Sequence, residues 1–272
     1  MSDSEQDSGD GLLLQVEDGV ALITINRPDT LNAFTREMID RLRAIAHAAE
    51  RDPSVFGVVI TGSGRAFCSG LDVSLLSKAA ESGGAEARMP EGETPGLFVH
   101  LLKLSKPVIA AVNGAAAVGG FVLAMMCDLR FASESASFTM AMSNRGLIAE
   151  HGTSWLLPRQ IGVSRALDLM WTSRRVSAAE AQEMGLVDRL IPAGNEIQAA
   201  MDYIRDLRAR VSPRAVAEMK AQVYGHLETS FSEAVKDSMR RMQAALKHPD
   251  IREGARAFIE RRPPRFEPWT GA

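Results

Sequence analysis

The sequence predicts an α/β fold followed by a helical C-terminal region, and three observations carry that prediction. Short apolar, β-prone runs alternate with helix-period segments through the N-terminal part of the chain. An Asp-Gly pair between the first two runs marks a hairpin. Beyond Asn195 the strand-like runs cease and amphipathic helical periodicity continues to about Arg262. Alternation of this kind argues parallel pairing, with a functional site at the strand ends.

The elements follow in order. Leu12–Val16 and Val20–Ile25 read as strands, separated by Glu17-Asp18-Gly19. From Thr35 the period changes: Met38, Leu42, Ile45, Ala46 and Ala49 share one helical face, and Pro53 punctuates the helix end. Val55–Thr61 is continuously apolar, as a strand buried on both faces should be. The cycle recurs with a strand at Val108–Val112, a helix after Gly119-Gly120 and a short strand near Leu129–Ala132. Residues 74–96, with Gly83-Gly84, several glutamates and weak periodicity, read as a loop or frayed helix over a pocket, or as a plain surface loop. Ser177-Ala178-Ala179-Glu180 has the form of a capping box, and Gly185 stands where a C-terminal glycine would end that helix. Breaks in the last helical stretch are expected near Ser212-Pro213 and His248-Pro249.

Composition excludes several function classes. The chain has 272 residues, 46% hydrophobic and 24% charged, as is ordinary for a soluble globular protein. A net charge of −3 gives no general attraction for nucleic acid or an anionic membrane. No apolar run approaches the roughly 20 residues needed to span a bilayer. The first eleven residues lack an apolar core and read as a disordered tail rather than a signal peptide. Cys68 and Cys127 are the only cysteines, which suits a reducing cytoplasm better than a disulfide framework.

Two segments stand out, Gly64-Arg65-Ala66-Phe67-Cys68-Ser69-Gly70-Leu71-Asp72 and Asn113-Gly114-Ala115-Ala116-Ala117-Val118-Gly119-Gly120. Each reads as a buried-strand end running into small residues, where backbone N–H groups can be left unpaired and aimed at a ligand. Two such groups converging on one point would form an oxyanion hole. With them stand Asn26-Arg27-Pro28, Leu31-Asn32-Ala33, Lys106-Pro107-Val108-Ile109-Ala110-Ala111-Val112, Leu123-Ala124-Met125-Met126-Cys127-Asp128 and Ala178–Pro192 with Gly185-Leu186-Val187 at its centre. In this order the segments resemble the enoyl-CoA hydratase/isomerase, or crotonase, superfamily from about Leu12 to Phe266.

The resemblance implies an α/β spiral of ββα turns over residues 12–194 and a helical trimerisation region over 195–266, flanked by tails at 1–11 and 267–272. It implies a homotrimer or a dimer of trimers. The ligand it implies is an acyl-CoA thioester, with coenzyme A as part of the substrate and no separate cofactor or metal. The thioester oxygen would be held by the N–H groups of Ser69, before the glycine of the first motif, and Gly119, in the second. Coenzyme A contacts would fall at Arg27, Leu31, Ala33, Arg65, Ala66, Leu71, Asp72 and Val73, with Phe258 and Arg261 supplied by a neighbouring chain.

The chain departs from the family pattern where hydratases carry two glutamates: these positions are Val122 and Met142. Hydration needs a held water and a delivered proton, which two carboxylates supply and Val and Met do not. One carboxylate remains nearby. Glu150 falls where the family's dienoyl-CoA isomerases carry a catalytic Asp, and apolar Ile148, Trp155, Val122 and Met142 would be expected to raise its pKa. The other reading is that Glu150 caps the helix beginning near Thr153 or pairs with Arg145 or Arg159. His151 either assists Glu150 or forms pocket wall, since adjacent side chains usually point apart. Trp155, Met140 and Met142 are either core or acyl pocket. Cys68 invites a thiol-nucleophile reading, Cys127 reads as core, and Asp72 as a turn or cap residue.

The function expected is therefore that of an acyl-CoA enzyme that stabilises a thioester enolate and moves a proton with one carboxylate. Double-bond isomerisation is the most economical chemistry, and water activation by Glu150 stands beside it. The alternatives are a catalytically silent acyl-CoA binder and a CoA-thioester or β-diketone hydrolase.

Overall fold

The structure, a computed structural model, describes residues 6–7, 11–72, 94 and 96–269. Residues 73–93, which hold most of the expected pocket loop, lie outside the described residues, as does Val73. The hairpin forms from β2 (Leu12–Glu17) and β3 (Val20–Ile25), antiparallel and in register from Leu12↔Ile25 to Glu17↔Val20. Its loop is the two-residue Asp18-Gly19, both at positive φ (49° and 86°), the conformation in which the turn twist matches that of the strands. β1 (Gln6–Asp7) pairs with β2, so part of the segment expected as a disordered tail is a short edge strand.

From β4 to β9, consecutive strands are dealt alternately to two sheets; β10 then joins the small sheet and β11 the large one. β4 (Gly57–Gly62), β6 (Val108–Val112), β8 (Leu129–Ser133) and β11 (Arg189–Ile191) extend the large sheet, in the order β1-β2-β3-β4-β6-β8-β11, parallel from β3 onward. β5 (Ala66–Cys68), β7 (Ala115–Ala117), β9 (Ser137–Thr139) and β10 (Val176–Ser177) form the small sheet, in the order β10-β9-β7-β5. This is the expected ββα spiral.

The large sheet is buried on both faces. Val58 and Ile60 of β4, with Val108, Ala110 and Val112 of β6, face a core shared with the helix α1 (Arg36–Arg51). Val59, Ile109 and Ala111 face a second core with Ala200, Met201 and Ile204 of the helix α6 (Glu196–Arg210). Double burial explains the continuous apolar runs of β4 and β6. Thr35 caps α1 by accepting the Met38 N–H, and Met38, Leu42, Ile45, Ala46 and Ala49 are buried as expected.

The spiral also carries α2 (Gly119–Met125), α3 (Thr153–Ile161), α4 (Val163–Thr172) and α5 (Ala178–Glu183). Ser177 accepts the Glu180 N–H, but the Glu180 carboxylate pairs with Arg174 at 2.7 Å, so only half of the expected capping box forms. The C-terminal region continues with α7 (Pro213–His226), α8 (Phe231–Ala245) and α9 (Pro249–Glu260). The proline-marked breaks stand where expected. A further break precedes α8, where Ser230 and Glu233 form a complete capping box. Lys220 and Tyr224 of α7 clamp Asp128 at 2.7 and 2.9 Å, tying the helical region to the spiral. The closing segment is also tied down, through a 2.8 Å hydrogen bond from Trp269 Nε1 to Ser105. No helix among the described residues is long and apolar enough to cross a membrane.

Candidate active site

The first small-residue segment leaves β5 and runs beside Phe34. The Phe34 N–H donates to the Gly70 carbonyl at 2.8 Å and the Asp72 N–H to the Phe34 carbonyl at 2.9 Å. Alternation along an extended backbone therefore turns the Leu71 N–H to the opposite side, toward α2. Ser69 behaves differently from expectation. Its N–H donates to the Leu31 carbonyl at 3.0 Å and its hydroxyl to the Thr30 carbonyl at 3.3 Å, so its amide is engaged within the fold.

The second segment enters α2 through Val118, at φ 50°. The Val118 N–H donates to the Thr139 carbonyl, and among the described residues no acceptor meets the Gly119 N–H. The two segments touch backbone to backbone. A Cβ on Gly70 would stand 3.2 Å from the Gly119 nitrogen, and one on Gly119 would stand 3.6 Å from the Leu71 nitrogen. The neighbouring pair of open amides is thus Leu71 and Gly119 rather than Ser69 and Gly119. Nothing in the sequence distinguishes the amides on either side of Gly70; the alternation against Phe34 does.

Two amide side chains, buried Asn32 and half-buried Asn113, hold these segments in place. Asn32 donates from Nδ2 to the Ser63 and Ala66 carbonyls at 2.8 and 2.6 Å and accepts the Arg27 N–H at 2.9 Å. Asn113 donates to the Gly64 and Ala66 carbonyls at 3.0 and 3.2 Å. The sequence analysis gave neither a role of its own; the available signal was a polar amide amid small and apolar residues, in Leu31-Asn32-Ala33 and at the start of the second segment. Arg27 reaches the Ala33 carbonyl at 2.7 Å and Asp72 at 3.0 Å, so Asp72 is an ion-pair partner rather than a turn or cap residue.

Ser69, Leu71, Gly119, Val122, Met142, Arg145, Glu150 and His151 line one cleft of about 490 Å³, counted out to its mouth. Val122 and Met142 are buried and apolar, as the sequence indicated. Glu150 is less enclosed than expected: its side chain is 48% exposed, and Ile148 is 83% exposed rather than packed over it. The Glu150 carbonyl, not its carboxylate, accepts the Thr153 N–H and hydroxyl at the start of α3. Arg159 lies over the Trp155 ring at 4.0 Å instead of pairing with Glu150. His151 does not point away from Glu150, because its Nε2 lies 3.6 Å from Glu150 Oε1.

The remaining expected residues are dispersed. Trp155 lines an adjoining chamber with Leu102, Met126 and Tyr224, and His151 borders both spaces. Met140 is core. Leu31 and Ala33 belong to the loop that Asn32 anchors, Ala66 is buried and Arg65 is exposed. Phe258, 86% exposed, and Arg261 stand at the end of α9, outside the cleft of this chain. Cys68 is buried, and desolvation pushes its thiol up to about 12, which removes the thiolate a nucleophile needs. Burial also raises Cys127, which is core.

Residues 15–268 match the family model described as enoyl-CoA hydratase/isomerase. The chain is 36% identical over 261 residues to the 1,2-epoxyphenylacetyl-CoA isomerase of Escherichia coli K12, covering 94% of this chain and 97% of that protein. Among solved structures, the enoyl-CoA hydratase of Mycobacterium tuberculosis H37Rv superposes with a TM-score of 0.86 at 30% identity, over 97% of this chain and 100% of that one. An enoyl-CoA hydratase from Polaromonas sp. JS666 gives a TM-score of 0.86 at 31% identity, over 94% and 99%.

Proposed function

The chain belongs to the enoyl-CoA hydratase/isomerase family, whose members act on acyl-CoA thioesters, and from that premise we propose that it is a one-base acyl-CoA isomerase. The thioester oxygen accepts from the Leu71 and Gly119 N–H groups. Charge developing on that oxygen is stabilised by about 3 kcal/mol per donor. Glu150 takes the α-proton, the C–H electron pair moves into the enolate, and return of the proton at the γ-carbon shifts the double bond. The observation that carries this reading is the cleft itself: it joins two open backbone amides to one carboxylate, with Val122 and Met142 where a second could stand. Two-glutamate hydration is not available to these side chains.

A second reading, an acyl-CoA binder without turnover, is favoured by the 48% exposure of the Glu150 side chain. Ultraviolet absorbance of the conjugated thioester separates the two when 2-enoyl-, 3-enoyl- and 3,5-dienoyl-CoA are offered. We expect turnover that falls at least ~10²-fold in Glu150→Gln. Full activity in that variant refutes the assignment of the base. No turnover of any ester, with a CoA-dependent rise in Tm, establishes the binder. A homotrimer or dimer of trimers is the proposed assembly, supported by Phe231, Met239, Met242, Phe258 and Ile259 exposed on α8 and α9. Sedimentation of a monomer at micromolar concentration would contradict it.

A further inference from the structure

His151 is held by contacts that fix which of its ring nitrogens bears the proton. The Leu97 N–H donates to His151 Nδ1 at 3.2 Å. A backbone N–H can only donate, so Nδ1 is bare and the neutral ring carries its proton on Nε2. That nitrogen lies 3.6 Å from Glu150 Oε1, beyond a formed hydrogen bond but within a small side-chain rotation of one.

The backbone is shaped for this placement. Gly96 has φ +139°, and a Cβ there would stand 2.7 Å from Val99 Cγ2 and 3.6 Å from His151 Cα. Glycine thus lets the segment carrying the Leu97 amide pass against the histidine. His151 itself has φ 56°, a region where Asn, Asp and His are enriched among residues other than glycine.

We propose that His151 is a positioning residue for the proton-transfer carboxylate: anchored through Nδ1 by the Leu97 amide, it donates from Nε2 to Glu150 and holds the carboxylate aimed into the cleft. The inference rests on the reading of Glu150 as the base. Burial lowers the His151 pKa, against a smaller opposing effect of Glu150, so the ring is a neutral donor near pH 7. The other charged groups facing it are Arg145 in the cleft and Lys103 and Glu228 in the chamber.

The test compares His151→Asn with His151→Gln. Asn tolerates the positive φ and offers an oxygen near the Nδ1 position, but nothing at the Nε2 position. Gln restores an N–H there. We expect His151→Asn to lower kcat about tenfold, as for one charge-assisted hydrogen bond, with KM changed less than about threefold. His151→Gln recovers part of the loss, and nitrogen NMR of the wild type reports the Nε2-protonated tautomer. Wild-type kcat in His151→Asn overturns the proposal. So do equal losses in both variants with a lowered Tm, which assign the ring to packing alone. Full activity in Glu150→Gln overturns the underlying reading as well, whereas an inactive Glu150→Gln beside a fully active His151→Asn removes only the positioning role.

Discussion

At the scale of single residues, two adjacent glycines have separable duties. A Cβ on Gly120 would stand 2.0 Å from the Cys68 carbonyl oxygen, a clash with backbone that only movement of α2 or β5 relieves. Gly120→Ala should therefore fail to yield folded protein, read by circular dichroism and solubility. A Cβ on Gly119 meets Gly70 Cα at 3.2 Å, a contact small shifts absorb, but its methyl stands over the paired amides. Gly119→Ala should fold with Tm near wild type and lose ~10²-fold or more in kcat, as for a lost oxyanion donor. Wild-type kcat in Gly119→Ala would dissociate Gly119 from the chemistry. The small-residue character of these segments was legible in the sequence; the choice between the amides of Ser69 and Leu71 was not. That choice depends on Leu31 and Phe34, which approach from another part of the chain and occupy alternate backbone groups.

At the scale of elements, α7 is joined to the spiral by a polar clamp rather than by an apolar face alone. Lys220, 9% exposed, donates to Asp128, to the Lys106 carbonyl and to the Leu101 carbonyl, while Tyr224 takes the other Asp128 oxygen. Lys220→Met leaves Asp128 without its cation and should cost about 3 kcal/mol in urea unfolding. A cost below about 0.5 kcal/mol, the size of a surface substitution, would contradict the clamp. Strands and helices with strong periodicity were readable, from the Asp18-Gly19 hairpin to the buried face of α1. The break before α8 was missed because Leu227–Ser230 holds neither Gly nor Pro; the Ser230 and Glu233 spacing was the signal. β1 gave no apolar pattern to read, since Gln6 and Asp7 are both polar.

At the scale of the whole molecule, acid stability depends on a half-buried histidine packed between α1 and the segment before β6. His100 lies beside Arg43 and His47, and burial first, then those two charges, lower its pKa from 6.5 to about 4. Between these values the unfolded chain binds a proton that the folded chain refuses, so stability falls as pH drops from 6.5 to about 4. Tm should decline less steeply over that window in His100→Gln, and a parallel decline would assign the acid sensitivity to other groups. The proposed reaction requires that the Leu71 and Gly119 amides make an α-proton acidic enough for Glu150 to remove. Exchange of α-protons of a saturated acyl-CoA in D₂O, followed by mass spectrometry, isolates that step from any later reaction. We predict deuterium incorporation by the wild type that slows at least ~10²-fold in Glu150→Gln; equal exchange by the two proteins, or none by the wild type with the ester bound, would contradict the assignment of Glu150 as the base.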